Sequence, residues 1–299
     1  MKILLKNYKE ILGEEIKNGD WKKISKYKSL SESFIRKFKD KVKWDNISMH
    51  QVLSEKFIRE FKDKVEWYYI SKYQVLSNEF IIEFQDELDW YSLNKNHVID
   101  NKTLLKCKDN VEWTIISRKK NLLVSDMEEL KKYLNWEFIS IEQKLSEDTI
   151  KKFKDKVDWE WISIEQKLSE GFIREFQDKL SISNITCSQE LSEGFIREHL
   201  DDMNWNLLSG SQELSEGFIM EFKDKVNWQF ISNHQVLSEG FIREFENKVD
   251  WERVSIRQKL SEEFIKEFYH NLDWKNIIVY QKISEEFKDE IREKEIPKV

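Results

Sequence analysis

The stretch WEWISIEQKLSEGFIREFQDKL, residues 159–180, decides the fold, because it recurs with small changes along most of the chain. Tryptophan marks the recurrence. Trp21, Trp44, Trp67, Trp90, Trp113, Trp136 and Trp159 are each 23 residues apart. Ile182 stands at the next step, and Trp205, Trp228, Trp251 and Trp274 resume the phase. Eleven of the twelve tryptophans therefore hold one position, with Trp161 the exception. A fixed period of this length is the mark of a repeat array, whose units bury their apolar sides against one another. With Trp as position 1, the unit reads W-x-x-I-S-x-x-Q-x-L-S-E-x-F-I-R-E-F-x-D-K-V-[DN].

The spacing predicts two short helices per unit. Positions 1, 4, 5 and 8 hold Trp, Ile, Ser and Gln, one face of a first helix over positions 1–8. Phe at 14 and 18 with Ile at 15 makes a second stripe, on a helix over 12–20. Each helix has its own start signal. Leu168, Ser169 and Ile173 read as an apolar residue, a cap and an apolar partner one turn on; Val157, Asp158 and Ile162 repeat this for the first helix. Helices shorter than about 12 residues are marginal alone, so stacking must stabilise them. The expectation is an all-α chain, a superhelical α-solenoid of about twelve helix–turn–helix units. A leucine-rich repeat has a similar period, but its LxxLxLxxN core is missing.

Residues 1–20 read as an N-terminal capping helix with Ile11, Leu12 and Ile16, stopped at Gly19, with Asp20 capping the next helix. The repeats occupy 21–296, and the last unit, ending in FKDEIREKEIPKV, serves as the C-terminal cap. Two stretches depart from the pattern. In 90–135, Thr103 and Cys107 replace both Phe residues, and LLVSDMEELKKYL moves the expected cap to Ser125. In 181–203, Ile182 removes an indole, which predicts looser packing.

The motif LSEGFIREF…DKV-W…IS…Q resembles short Trp-containing helical repeats in proteins of large DNA viruses and of AT-rich microbes and their phages. The resemblance covers nearly the whole chain. It supports the architecture, implies no biochemical activity, and favours a host-directed interaction role.

Comparing units within the chain separates constant from varied columns. Trp159, Ile162, Leu168, Phe172, Ile173, Phe176 and Leu180 represent the core columns. Serine at position 5 is small enough for close helix approach. Gln recurs at position 8 in nine of twelve units, as an amide ladder tying loop backbone between units. On the second helix, Glu170–Arg174, Glu239–Arg243, Glu60–Lys64 and Glu175–Lys179 stand four apart with Glu first, as in favourable helical pairs. Gly171, Gly194, Gly217 and Gly240 at position 13 are tolerated helix residues. Columns 2, 3, 6 and 7 vary, and several of their residues are apolar. Tyr68, Tyr69, Tyr73, Phe138, Trp161, Ile164 and Phe230 are the candidate partner-binding residues, with Tyr27, Ile256 and Tyr280 in the same columns. Column 3 also borders the core and could simply widen the packed stripe.

Composition narrows the function classes. Charged residues make up 36% of the 299 and net charge is −7, against non-specific nucleic-acid binding, which needs many unpaired cations. Alanine is missing and Pro297 is the single proline, a bias of AT-rich coding that leaves helices uninterrupted. The run ILL near the start is too short for a signal-peptide core, and no stretch has membrane-spanning length. Cys107 and Cys187 are too far apart in an array to pair, which favours a reducing, cytoplasmic setting. His50, His97, His199, His234 and His270 fall in four different repeat phases. HExxH, a P-loop and GxGxxG are all missing. The expectation is a non-catalytic scaffold or adaptor, a host-directed effector gripping a protein partner through its varied first-helix columns, with no cofactor, no metal and no membrane contact, and monomeric or weakly self-associating. The alternatives are a nucleic-acid-binding repeat array, against which Glu137, Glu142, Glu160 and Glu165 among the aromatics argue, and a self-assembling structural component.

Overall fold

The structure, a computed structural model, describes residues 16, 19–26, 29–119 and 122–295. Ile11, Leu12 and Tyr27 lie outside the described residues. The chain is an all-α helical repeat solenoid built from 23-residue units, with 24 helices and no strand among the described residues. It divides into two compact units, Met1–Lys144 and Leu145–Val299. Within each, the first helix of a repeat stacks on the first helix of the next, as Trp44–His50 does on Trp67–Tyr73 and Trp205–Ser211 on Trp228–His234.

A typical repeat has helices at positions 1–7 and 12–17, such as Trp159–Glu165 and Glu170–Glu175. The caps are those the sequence signals. Asp158 accepts the N–H groups of Glu160 and Trp161, and the Ser169 hydroxyl accepts that of Phe172. Gly19 has φ 72°, and its N–H bonds Ile16 O at 3.3 Å. The second helix ends earlier than position 20. Phe176 leaves helical geometry at φ −119°, ψ 25°. Lys179 N then bonds Phe176 O three residues back, at 2.9 Å, and Leu180 N bonds the same carbonyl at 3.1 Å. This tight turn aims Leu180 back into the core, where it is buried.

The core columns are as expected except for tryptophan. Ile162, Phe172 and Ile173 are almost wholly inaccessible, and Leu168 is buried. Trp159 is half-buried. Its ring lies 5.1 Å from Phe176 on one side, Lys179 Nζ lies 5.5 Å from the ring centroid, and its Nε1 donates to Lys154 O at 3.0 Å. The indole is a lid over the paired phenylalanines, held at the rim because its N–H needs a carbonyl. The same triplet forms in the Trp44, Trp205, Trp228 and Trp251 repeats.

Three polar columns tie each repeat to the next. Ser163 Oγ donates to Trp159 O at 2.7 Å and accepts Ser181 N–H at 3.1 Å. The position-5 hydroxyl therefore does more than leave room; it holds the backbone N–H at the start of the following repeat. Gln212 reaches back from the Trp205 repeat. Its Nε2 donates to Thr186 O at 2.6 Å and Gln189 O at 2.7 Å, and its Oε1 accepts Leu191 N–H at 2.9 Å. Gln74, Gln235, Gln258 and Gln281 repeat this pattern, so the amide ladder is present as expected. The third tie is Glu at position 12. Glu170 accepts the N–H of Ser192, the cap serine one repeat on, at 2.7 Å.

The surface charges pair in part as expected, with Glu170–Arg174 at 3.5 Å and Glu239–Arg243 at 3.8 Å within their helices. Glu175 bonds Lys151 at 2.6 Å, Glu60 bonds Arg36 at 2.8 Å, and Lys64 bonds Asp40 at 2.9 Å, all across repeats. The Glu60–Lys64 and Glu175–Lys179 pairings are thus replaced. Arg174 is 3.5 Å from Glu170 within its helix but 2.7 Å from Glu198 in the next repeat. A six-residue helix is too short to satisfy these groups internally while its neighbour's carboxylate stands alongside. Around Ile182 the core columns Ile185, Leu191, Phe195 and Ile196 stay buried. The repeat departs at Ile182, at Thr186, whose hydroxyl donates to Ile182 O and Met203 Sδ, and at His199, whose Nε2 is buried without a partner.

Two expected outcomes follow from these ties. Gln212→Leu leaves three buried backbone groups unpaired at about 1–3 kcal/mol each, so chemical denaturation should show a loss of several kcal/mol; a loss under ~1 kcal/mol would contradict the ladder's role. Hydrogen bonds from the Ser192 side chain and backbone hold the Glu170 carboxyl below the usual glutamate range, and those from the Ser284 backbone and side chain do so for Glu262. Depressed folded-state pKa values contribute stability above the unfolded value, near 4.3 for glutamate, and that stability is lost as pH falls through the folded value. The urea midpoint should be level from about pH 7 to 5.5 and fall below about pH 4, less steeply in Glu170→Gln/Glu262→Gln.

Candidate partner-binding surface

The ties described above fix the first helices side by side, so equivalent positions form rows from repeat to repeat. The rows differ in exposure. In column 3, Tyr69, Phe138 and Trp161 are half-buried, and Asn46 and Ser92 are buried. This column widens the packed stripe, apart from Phe230, which is 38% exposed, and the charged Lys23. Columns 2 and 7 are more open, with Tyr68 at 47% and Tyr73 at 45%. Ile164 and Ile256 in column 6 are half-buried, and Tyr280 is exposed.

Tyr68, Tyr69 and Tyr73 come together in the Trp67 repeat. The Tyr68 and Tyr69 rings meet edge-on at 5.2 Å, and Tyr69 and Tyr73 stack at 6.2 Å. Lys72 Nζ lies 5.3 Å from both the Tyr68 and Tyr73 centroids and 3.2 Å from the Tyr68 hydroxyl oxygen. The hydrogen bond to Tyr68, then that to Tyr73, pushes the Lys72 pKa up. Phe138 stands three repeats further on in the same unit, beneath the Arg118 guanidinium at 4.8 Å. That guanidinium bonds Glu142 at 2.7 Å. Trp161, Ile164 and Phe230 belong to the second unit. Phe230 lies over Gly210, where an added Cβ would sit 3.4 Å from its ring.

Sequence reading missed the most exposed apolar row. Val52, Val75 and Val98 at position 9 are 93%, 91% and 101% exposed. Position 8 has extended backbone, with Gln74 at φ −90°, ψ 147°. Side chains alternate in such a segment, so Gln74 points in, Val75 out and Leu76 in. Position 9 falls in the linker between the two helices that the spacing predicts, and three residues are too few to reveal a period of two. Tyr91, exposed at position 2 of the Trp90 repeat, was also missed. In the second unit Glu190 and Glu213 hold position 9 of their repeats and, with Leu191 and Ser211, line a shallow open groove of about 600 Å³.

The irregular Trp90 and Trp113 repeats lose several ties. Asn94 replaces the position-5 serine; it is fully buried, and neither Oδ1 nor Nδ2 has a partner. His97 replaces Gln and places Nε2 2.8 Å from Ser71 O, while Lys119 Nζ donates to His97 O at 3.2 Å. Burial pushes the Lys119 pKa down and the Cys107 pKa up. The second helix of the Trp113 repeat runs Val124–Leu130 with Leu123 as its N-cap, so the cap does not move to Ser125. Gln143 Oε1 accepts Leu122 N–H at 3.2 Å, which keeps the 23-residue register, and Asp126 accepts Leu123 N–H.

Among the described residues no three His, Cys, Asp or Glu groups are placed to hold a metal ion. None of their helices is long and apolar enough to cross a membrane. Cys107 and Cys187 are free thiols. Comparison with protein-family models, curated proteins and solved structures finds no match.

Asn94→Ser should restore the hydroxyl tie and relieve a buried unpaired amide. The expected gain is about 1–3 kcal/mol in chemical denaturation; a loss of stability would show that the amide is not a defect.

Proposed function

We propose that the protein is a non-catalytic binding scaffold that grips a protein partner through the varied columns of its first helices. One observation carries this reading. A lattice of constant, mutually bonded columns presents a neighbouring set of varied side chains, several of them large, apolar and exposed, and such side chains mark interaction surfaces. Tyr68, Tyr73, Tyr91 and Phe230 are the outermost aromatics of that set. Tyr69, half-buried, packs against Tyr68 and Tyr73, and Phe138, Trp161 and Ile164 are half-buried members of the same columns in other repeats. The resemblance of the repeat to those of large DNA viruses and AT-rich microbes favours a host-directed target, and two free thiols suit a reducing cytoplasm. Binding along a nucleic acid fits the second unit poorly, because Glu160 and Glu165 flank Trp161 and Ile164.

The test is affinity capture with quantitative mass spectrometry, comparing the wild type with Tyr68→Ala/Tyr73→Ala and with Phe230→Ala. These side chains are partly exposed, so the fold should persist, as circular dichroism would verify. A protein enriched by the wild type should fall at least fivefold in one of the variants. Undiminished recovery in both would remove these columns from the binding surface.

A further inference from the structure

From the Trp21 to the Trp113 repeat the varied face carries a net positive charge; Glu137 and Glu142 of the Trp136 repeat, in the same unit, end that stretch. In columns 2, 3, 6, 7 and 9 of the Trp21 to Trp113 repeats, Asp45 is the one carboxylate, against Lys22, Lys26, Lys72, Lys95 and Arg118 among the cations. Lys22, Lys26 and Lys95 are exposed. Lys72 lies between two tyrosines, and Lys95 Nζ stands 5.9 Å from the Tyr91 ring centroid. Second-helix cations differ: Arg36, Arg59 and Lys64 are each ion-paired with a neighbouring repeat. Arg118 is bonded to a carboxylate, that of Glu142. Glu66, Asp89 and Glu112 stand at the helix starts, a first helix away from the valine row, and Glu55, nearer to it, is engaged by the Ser77 N–H at 2.6 Å.

Three rows run across the Trp44, Trp67 and Trp90 repeats. Position 9 gives Val52, Val75 and Val98; position 6 gives Met49, Lys72 and Lys95; position 2 gives Asp45, Tyr68 and Tyr91. The cationic row thus lies between a wholly exposed aliphatic row and an aromatic one.

We propose that this face binds an extended, acidic segment of a partner protein that carries aliphatic side chains, laid across these three repeats. The proposal rests on the protein-binding reading and gives it a ligand chemistry. Unpaired cations call for carboxylates. The valines decide between polyanions: a phosphodiester chain gains nothing by covering exposed methyl groups, whereas a leucine or valine side chain buries them. The step also fits. Packed helices stand roughly 8–10 Å apart, and three residues of polyproline II backbone advance about 9 Å. A triplet with one acidic and one aliphatic residue would place each over its own row, repeat after repeat.

Fluorescence anisotropy with a labelled 15-residue peptide of five Glu-Leu-Ser triplets tests this on the full chain. Saturable binding is expected, at least tenfold tighter than for Glu-Ser-Ser or Lys-Leu-Ser peptides or a 15-mer of thymidylate. Lys72→Glu/Lys95→Glu should weaken it at least tenfold. Val75→Ser/Val98→Ser should weaken it several-fold at unchanged thermal stability, since these side chains support nothing in the fold. The proposal is overturned by lack of saturable binding, by equal or tighter binding of the thymidylate or Glu-Ser-Ser probes, or by variants that bind as well as wild type. Self-association abolished by the lysine variants would make a second copy the occupant and overturn it too. If the peptide fails while Tyr68→Ala/Tyr73→Ala still loses a captured partner, the ligand chemistry falls and the scaffold reading stands.

Discussion

The structure depends on a side-chain amide that does the work of a backbone. At position 8 the glutamine amide of one repeat accepts the position-10 N–H of the previous repeat and donates to its position-8 carbonyl, as Gln258 does to Leu237 and Gln235. Those two groups flank position 9, and a parallel β-strand would engage the same pair. Each extended linker therefore has a bridging partner, though no neighbouring strand supplies it. A second N–H of the same amide reaches the position-5 carbonyl, at Ser232 in this instance. One buried side chain satisfies three groups that short helices would leave exposed to desolvation.

That constraint explains the division of labour among columns. Helices of six or seven residues have few internal hydrogen bonds to spare, so the ends must be satisfied by neighbours. Ser at 5, Gln at 8 and Glu at 12 do this, and they recur because the backbone they serve recurs. The Trp, Phe and Phe rings supply burial; the polar columns set register. With register fixed, what remains is free to vary, and the varied columns become continuous rows rather than scattered residues. The rows in the first unit carry lysine, tyrosine and valine together, and the proposed binding role rests on that order, since a disordered scatter would be ordinary solvated protein.

The irregular repeats show how much loss the lattice tolerates. In the Trp90 repeat the ring pair becomes Thr103 and Cys107, the hydroxyl becomes the unpaired Asn94, and the amide becomes His97. The stack persists because Leu93, Leu104 and Ile99 still fill the core and Lys119 reaches the carbonyl a glutamine would have taken. The replacements fall on apolar and polar columns alike, but burial tolerates a similar group more readily than a hydrogen-bonding node does, and the group left unpaired in this repeat is the polar Asn94.

The sequence determined the period, the two helices per unit, their caps and the core columns, because each depends on residues within one turn or one repeat of each other. It also carried the glutamine ladder, since a buried-looking amide at constant phase has few other roles. The tertiary structure decided what depends on distances between repeats. Trp159 is a rim lid because Phe176 and Lys179 close on both its sides; Glu60 and Glu175 turn to cations in the preceding repeat because the neighbouring helix is nearer than their own next turn; column 3 is half-packed because helices stack there. Position 9 fell between the two. Its outward valines follow from extended backbone in the linker, a segment too short for its alternation to stand out in the sequence, and their union with Lys72, Lys95 and the tyrosines exists because stacked repeats align residues 23 apart in the chain.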